Sequence, residues 1–341
     1  YSPMRLFPWQ ITPDVRGTGI GRSPVAGPEK GAAARSGLGI RMALVRFRFA
    51  AIAGRNEPKQ VDPTLEANGP PALCFVQQKN GEPPPVCGEE NDHMCADFIN
   101  LTPENLASEH LCCIIRSKKP HPGVEAKRQW LAERLREGHV FRKLNARAAV
   151  FVEYAPLETA WVPVTGDNYL YLYCLWVNGE QKGKGYGTAL MEYCLADARA
   201  QGKSGVCMLG AAKQKAWLSD QAFAKKYGFE VADTTENGYA LLALSFDGTM
   251  PKFAPNAKRQ EIEPRELTVY YDFQCPFVVQ SVERLQTYCE ENGVPASFLQ
   301  VDTLQKAKEL PCVFNNWAVF YQGKFQTVNL LDVAGLKRIL P

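Results

Sequence analysis

The stretch YLYLYCLWVNGEQKGKGYGTALMEYCL, residues 169–195, decides the fold. Its first nine residues are apolar and aromatic almost throughout, the pattern of a strand buried on both faces. Gly183, Gly185 and Gly187 then alternate with Lys184 and Tyr186. Apolar residues follow at helical spacing, at Leu190, Met191, Cys194 and Leu195. A strand, a glycine-rich turn and a helix in that order bring backbone N–H groups and the positive end of a helix dipole to one point, which is an anion site. Glycine lets the turn tighten and lets a ligand approach the backbone with no Cβ in the way. Lys182 and Lys184 add positive charge. The expected ligand is a phosphate or a pyrophosphate.

Two phosphate loops fail the spacing. A nucleotide-hydrolysing loop needs GxxxxGK closed by Ser or Thr, and GKGYGTAL lacks that ending. A dinucleotide fingerprint needs GxGxxG and an acid at the end of the next strand. Here the spacing is GxGxG, and the next strand, GVCMLGA at residues 205–211, ends without an acid. What remains is an acyl-CoA pyrophosphate loop, Arg/Gln-x-x-Gly-x-Gly/Ala between a strand and a helix. CLWVNGEQKGKGYGTALMEYCL, residues 174–195, resembles motif A of the GNAT family of N-acetyltransferases. Lys182 stands at the Arg/Gln position, and Gly185 and Gly187 at the two glycine positions. The order of elements over residues 98–246 is similar to that fold as well: a strand, two helices, three strands, the motif A helix, a strand, a helix and two strands.

The resemblance implies acetyl-CoA as cosubstrate and an amine acceptor, a small molecule or a peptide. Leu175, Trp176 and Val177 then form the strand that splays to admit the thioester, and an N–H of Trp176 or Val177 polarises its carbonyl. The backbone of Lys182, Gly183, Lys184, Gly185, Tyr186, Gly187 and Thr188 cradles the pyrophosphate. Transfer is direct, so the amine must lose a proton; Glu153 and Glu158 are the candidate bases, each with the alternative of a solvent-facing carboxylate. The position at which the family often carries a tyrosine acid holds Ala224 here, so the acid is absent, or is Ser219 or Tyr227, or is water. Lys213 and Lys215 are candidates for the 3′-phosphate of CoA, and Glu180 reads as solvated. A homodimer is common for this fold.

The rest of the chain falls into parts. Residues 1–93 hold half of the 24 prolines and no sustained periodicity apart from residues 41–54, and read as a disordered or non-native extension; a targeting peptide is the weaker reading. Residues 94–246 form the acyltransferase domain. Within it NLTPENLASEHLCCII, residues 100–115, carries helix-start signals at Thr102, Pro103 and Glu104. VEAKRQWLAERLREG, residues 124–138, is a helix, and HVFRKL, AAVFVEYAP and TAWVPV are strands. Residues 247–265 are polar and read as a linker.

Residues 266–341 show the order βαβαββα, a small mixed unit of thioredoxin-like pattern. Cys275 lies after its first strand and at the start of a helix, where a thiolate is favoured. Its partner position holds Val278, and the place before the hairpin strand where the thioredoxin fold carries a cis-proline holds Asn315, with Pro311 four residues too early, so dithiol redox chemistry is disfavoured. Residues 98–341 together resemble bacterial GNAT proteins with a C-terminal YoaP-like domain. The fold class is thus α/β (α+β): a mixed-sheet GNAT domain followed by a thioredoxin-like domain.

Composition narrows the classes further. A net charge of +3 is too mild to argue for nucleic acid or a membrane surface. Eleven cysteines, an odd number with no CxxC, read as free thiols in a reducing compartment and hence a cytoplasmic protein. Four histidines with no paired spacing leave no metal site. The reading is an acyl-CoA-dependent N-acyltransferase; the alternatives are an acyl-CoA-binding regulator with little turnover and a thiol-redox protein using Cys275.

Overall fold

A seven-stranded mixed sheet carries the candidate site. The computed structural model of the chain describes residues 97–111, 114 and 120–341, all within one compact unit. The expectation for residues 1–93 lies outside them. Strand β1 (Phe98–Asn100) is followed by helix α1 (Pro122–Leu135), β2 (Val140–Leu144), β3 (Val150–Pro156), β4 (Val164–Thr165) and β5 (Tyr169–Val177). After the glycine turn come α2 (Tyr186–Ala200), β6 (Gly205–Ala211), α3 (Gln221–Lys226), β7 (Glu230–Thr234) and β8 (Tyr239–Ser245). The sheet order is β1-β2-β3-β5-β6-β8-β7, with β5 and β6 its parallel pair.

Side-chain alternation gives this sheet two apolar faces. Leu170 and Leu172 of β5 join Val150, Val152, Leu190, Met191 and Cys194 in the layer under α2. Tyr169, Tyr171 and Tyr173 point the other way, toward Tyr239, Phe253, Val313 and Val328. The second face is covered by the C-terminal residues. These comprise β9 (Lys252–Phe253), β10 (Leu267–Tyr271), α4 (Phe277–Glu291), β11 (Ala296–Gln300), α5 (Leu304–Glu309), β12 (Trp317–Tyr321), β13 (Lys324–Thr327) and α6 (Val333–Leu336). Strands β10 to β13 form a second sheet in the order β11-β10-β12-β13, parallel between β10 and β11 and antiparallel elsewhere. The βαβαββα order expected from sequence is therefore present. Tyr171 donates its hydroxyl to Asn315 Oδ1 at 2.9 Å, and Val328 N–H donates to Tyr239 Oη at 3.2 Å, so polar contacts stitch the two sheets together.

Three expectations fail locally. Residues 103–108 form turns rather than a helix. The first turn closes through Leu106 N–H to Thr102 O, but Asn105 folds its side chain back to accept from Thr102 N–H and to donate to Asn100 O. That local bonding competes with helix propagation. TAWVPV is buried but is no strand before Val164: Val162 N–H bonds Ala160 O and Val164 N–H bonds Val162 O, so the backbone satisfies itself in tight turns. The stretch read as a linker is packed, with β9 paired to β4 and Phe253, Ala254 and Ala257 buried. Among the described residues, no helix is long and apolar enough to cross a membrane, and no cluster of His, Cys, Asp and Glu is placed to hold a metal ion.

Candidate active site

The two parallel central strands part, and the parting makes the site. β5 pairs with β6 over Tyr169 to Tyr171 alone, against Gly205 to Cys207. Its pairing with β3 runs on to Val177. One edge of β5 is therefore open from Leu172 onward. Asn178 N–H donates to Ala149 O, on the β3 side. N–H groups alternate between the two edges of a strand, so Trp176 N–H also faces β3, while Leu175 and Val177 N–H face the opening. Leu175 N–H donates to Ser219 Oγ at 3.4 Å across it. This corrects one expectation: Val177 and Leu175, not Trp176, present the N–H groups. The Trp176 side chain is 44% exposed and also lines the cleft.

The glycine loop closes one end of the opening. After a 3-10 turn at Gly179–Gln181, Gly183 and Gly185 take φ of 79° and 77°, and Gly185 is the N-cap of α2. A left-handed backbone of this kind strains any residue with a Cβ. No side chain caps the helix, and no backbone acceptor among the described residues receives the N–H groups of Gly183 to Thr188. Six donors thus stand at the positive end of a four-turn helix, with Lys182 beside them. The cleft they lead into measures 580 Å³ and is lined by Leu175, Val177, Lys182, Gly187, Leu218 and Phe223. The far wall is the loop before α3. Asp220 caps that helix by accepting from Ala222 and Phe223 N–H. Gln214 ties the loop by donating to the carbonyls of Lys215, Leu218 and Ser219 and accepting from Gln221 N–H.

The other sequence candidates disperse. Ser219 lies in the opening. Tyr227 caps the C-terminal end of α3 and packs edge-on against Phe223 at 5.3 Å, away from the cleft lining. Glu158 accepts from Asn168 N–H and sits 3.7 Å from Lys203 Nζ. Asn168 immediately precedes β5, so Glu158 is a strand length, about 25 Å, from Val177. It is excluded as a base there. Glu180 is exposed on the 3-10 turn. Lys213 is exposed, and Lys215 lies over the Tyr239 ring at 4.7 Å. Cys275 precedes α4 and is half-buried beside the C-terminal core.

Glu153 is the largest correction. It is wholly buried, paired with Lys127 Nζ at 2.7 Å, and also accepts from His139 Nε2 at 3.0 Å and Gln274 Nε2 at 2.8 Å. Burial pushes its carboxyl up, but the Lys127 charge and the His139 bond outweigh that and hold it below the ordinary carboxylate value. Burial drives His139 down, so its imidazole is neutral. An ionised carboxylate with three partners and no solvent is a structural anchor rather than a mobile base. Lys127 also donates to Gln274 O at 2.7 Å, which fastens α1 and β3 to the loop after β10. Nearby, Asp272 accepts from Gln274 N–H and keeps one buried oxygen unpartnered; burial pushes its carboxyl up to about 8. Nothing in the local sequence around Glu153 marks it as buried, because its partners come from positions 14, 26 and 121 residues away.

Comparison with known proteins fits this arrangement. Residues 104–229 match the acetyltransferase (GNAT) family and residues 295–338 the YoaP-like family. The chain is 34% identical over 249 residues to YoaP of Bacillus subtilis (strain 168), described as an uncharacterized N-acetyltransferase; the alignment covers 72% of this chain and 98% of that protein. Among solved structures it is similar to a GNAT acetyltransferase from Brucella melitensis in complex with acetyl-CoA (14% identity, 46% and 92% of the two chains, TM-score 0.30). It is also similar to the Escherichia coli N-acetyltransferase YhbS in complex with CoA (16% identity, 46% and 89%, TM-score 0.31).

Proposed function

Since the chain belongs to the GNAT family of N-acetyltransferases and carries that family's YoaP-like extension, we propose that it transfers the acetyl group of acetyl-CoA directly to an amine at the open edge of β5. The observation that carries the reading is the juxtaposition of that edge with the unpartnered N–H groups of the glycine loop. In this reading the pyrophosphate lies on the N–H groups of Gly183 to Thr188, with Lys182 as counter-charge. The acyl end extends along the cleft to Leu175 and Val177.

The amine nitrogen attacks the thioester carbonyl carbon as its lone pair forms the C–N bond. Negative charge then grows on the carbonyl oxygen, and the Val177 N–H, preorganised at the open edge, stabilises it. Collapse breaks the C–S bond, CoA leaves as a thiolate, and the nitrogen gives up its proton to that thiolate or to water in the open cleft. A thiol of pKa about 8.5 is a good leaving group at neutral pH, which suits a cleft with Ala224 where a tyrosine acid would stand. Among the described residues, Glu153 is locked in its ion pair, Glu158 is distant, and Asp220 in the cleft lining is engaged as the cap of α3, so the amine enters already neutral. Rate then follows the fraction of unprotonated amine.

Calorimetric titration with acetyl-CoA, followed by a screen of small amines, polyamines, amino acids and peptides for CoA release, tests this. Binding heat, a raised melting temperature by mass action, and release with at least one amine class are expected. Absence of both heat and thermal shift sinks the reading.

A further inference from the structure

A second pocket of 380 Å³ opens on the other side of the loop that walls the cleft. The loop residues Trp217 and Leu218 are adjacent in sequence, yet Trp217 lines this pocket and Leu218 lines the cleft. Ser219, one residue further, meets the open edge of β5. The two cavities are therefore separated by one strand of chain, and the second is built jointly by that loop and the C-terminal residues.

Its lining is chemically specific. Trp217 holds φ of 65°, rare for a side chain of this size, and its half-exposed ring meets Phe277 edge-on at 5.8 Å. Arg284 from α4 and Arg338 from beyond α6, both exposed, line the same pocket. Neither is ion-paired with a carboxylate among the described residues. Asp332 also borders the pocket, but its carboxylate is engaged as the cap of α6, accepting from Gly335 N–H at 2.7 Å. Two guanidiniums outnumber it. Asn329 adds a side-chain oxygen shielded from solvent and without a partner. Paired guanidiniums suit a planar or tetrahedral oxyanion, and a facing aromatic pair suits an apolar body. The volume is that of a small-ligand site.

We propose that this pocket seats the acceptor, a small primary amine that also bears a carboxylate or a phosphate. The anion lies between Arg284 and Arg338, and the body of the molecule rests on Trp217 and Phe277, with the amine end directed past the loop toward Ser219 and Val177. The anion end rests on the pocket alone; the acceptor role rests on the acetyl-transfer reading.

Calorimetry on the full chain with two matched pairs tests it: phenylalanine against phenylalaninamide, and O-phosphoethanolamine against ethanolamine. At least one member bearing the anion binds tenfold or more tightly than its match lacking it. Arg284→Gln with Arg338→Gln removes that preference and leaves the Kd for acetyl-CoA unchanged. Discrimination in the first pair only assigns a carboxylate, and in the second only a phosphate. In turnover, the double variant raises KM for the amine bearing the anion about tenfold and leaves KM for its match unaltered. Equal binding within both pairs beside normal acetyl-CoA heat overturns the pocket and spares the transfer reading. Preserved discrimination with no acetyl-CoA heat overturns the transfer reading, and with it the acceptor role, leaving an anion site.

Discussion

Replacing Lys127 by Met is the sharpest probe of how the two sheets are joined. The Lys127 and Glu153 charges are 2.7 Å apart and both are almost wholly removed from water. At an effective dielectric of about 20, their gross attraction is about 6 kcal/mol. Much of that only offsets the cost of taking two ions out of water. Removing one partner, however, leaves that cost standing on the other, and such losses run to about 3–5 kcal/mol. In the wild type His139, held neutral by burial and by the nearby Lys127 and Arg134 charges, and the uncharged Gln274 supply no second cation to Glu153. Urea unfolding at pH 7 should therefore show a loss of about 3–5 kcal/mol for Lys127→Met. The sign with pH follows from the depressed Glu153 carboxyl. Its contribution is present above the unfolded carboxylate pKa and is lost as pH falls through the folded one, so the gap between wild type and variant should narrow below about pH 4. Adding Glu153→Gln removes the stranded charge and should recover at least half of the loss at pH 7. A single variant that costs under about 1 kcal/mol, or a double variant less stable than the single, refutes the reasoning.

Other expectations are narrower. Lys182→Ala should raise the acetyl-CoA Kd about tenfold by calorimetry, whereas Lys184→Ala, whose ammonium is exposed and bonded to Gln181, should raise it under threefold; equal effects would contradict the placement of the loop. Gly185→Ala meets no atom within 4 Å, so its cost is the left-handed backbone alone, about 1–2 kcal/mol by urea midpoint. Asp272, with its carboxyl raised to about 8, contributes stability fully present below about pH 4 and lost as pH climbs through 8. Asp272→Asn keeps the oxygen that accepts from Gln274 and should flatten that decline; parallel curves between pH 5 and pH 9 count against it. Tyr227→Phe should lower turnover less than tenfold, because the ring packs on Phe223 outside the cleft lining; a loss of several hundredfold would make the phenol the acid after all.

The parts of the fold legible in sequence are those in which one local pattern dominates. β5 and β6 are bounded at the residues where their apolar runs begin and end, and the buried face of α2 is the one that its 3.6-residue spacing marks. Where apolar content and backbone bonding diverge, the reading fails: residues 160–163 are apolar because they are buried, yet they satisfy their backbone in turns and include a proline that has no N–H to give a ladder. The phosphate-loop end of the site was legible for the same reason as the strands, since glycine spacing and strand–helix context are local. The roles of the two carboxylates read as candidate bases were not. Glu153 and Glu158 lie five positions apart on one segment, but one is anchored by α1 and the loop after β10, and the other is turned to the opposite end of β5. Tertiary partners, unseen along the chain, decide which is which.

The same long-range logic explains why the C-terminal residues are there at all. Tyr169, Tyr171 and Tyr173 give β5 a second apolar face that α2 cannot reach. Val313, Val328 and Phe325 close it, and Phe314 and Phe320 join Trp130, Phe141, Phe151 and Trp161 in the adjoining cluster. Burial on this scale stabilises by about 25 cal/mol for each Å² of apolar surface removed from water, so the C-terminal elements are part of the core rather than an appendage. That packing also fixes where α4 stands. Phe277 meets Trp217, and Gln274 meets Glu153, through residues only three positions apart. The device that completes the hydrophobic core thereby sets one wall of the arginine-lined pocket beside the cleft, and it does so with two clamps on a single turn of chain. The buried ion pair thus borders the pocket through Gln274 and the loop before α4, and the cleft through β3, where Glu153 pairs in register with Cys174 of β5.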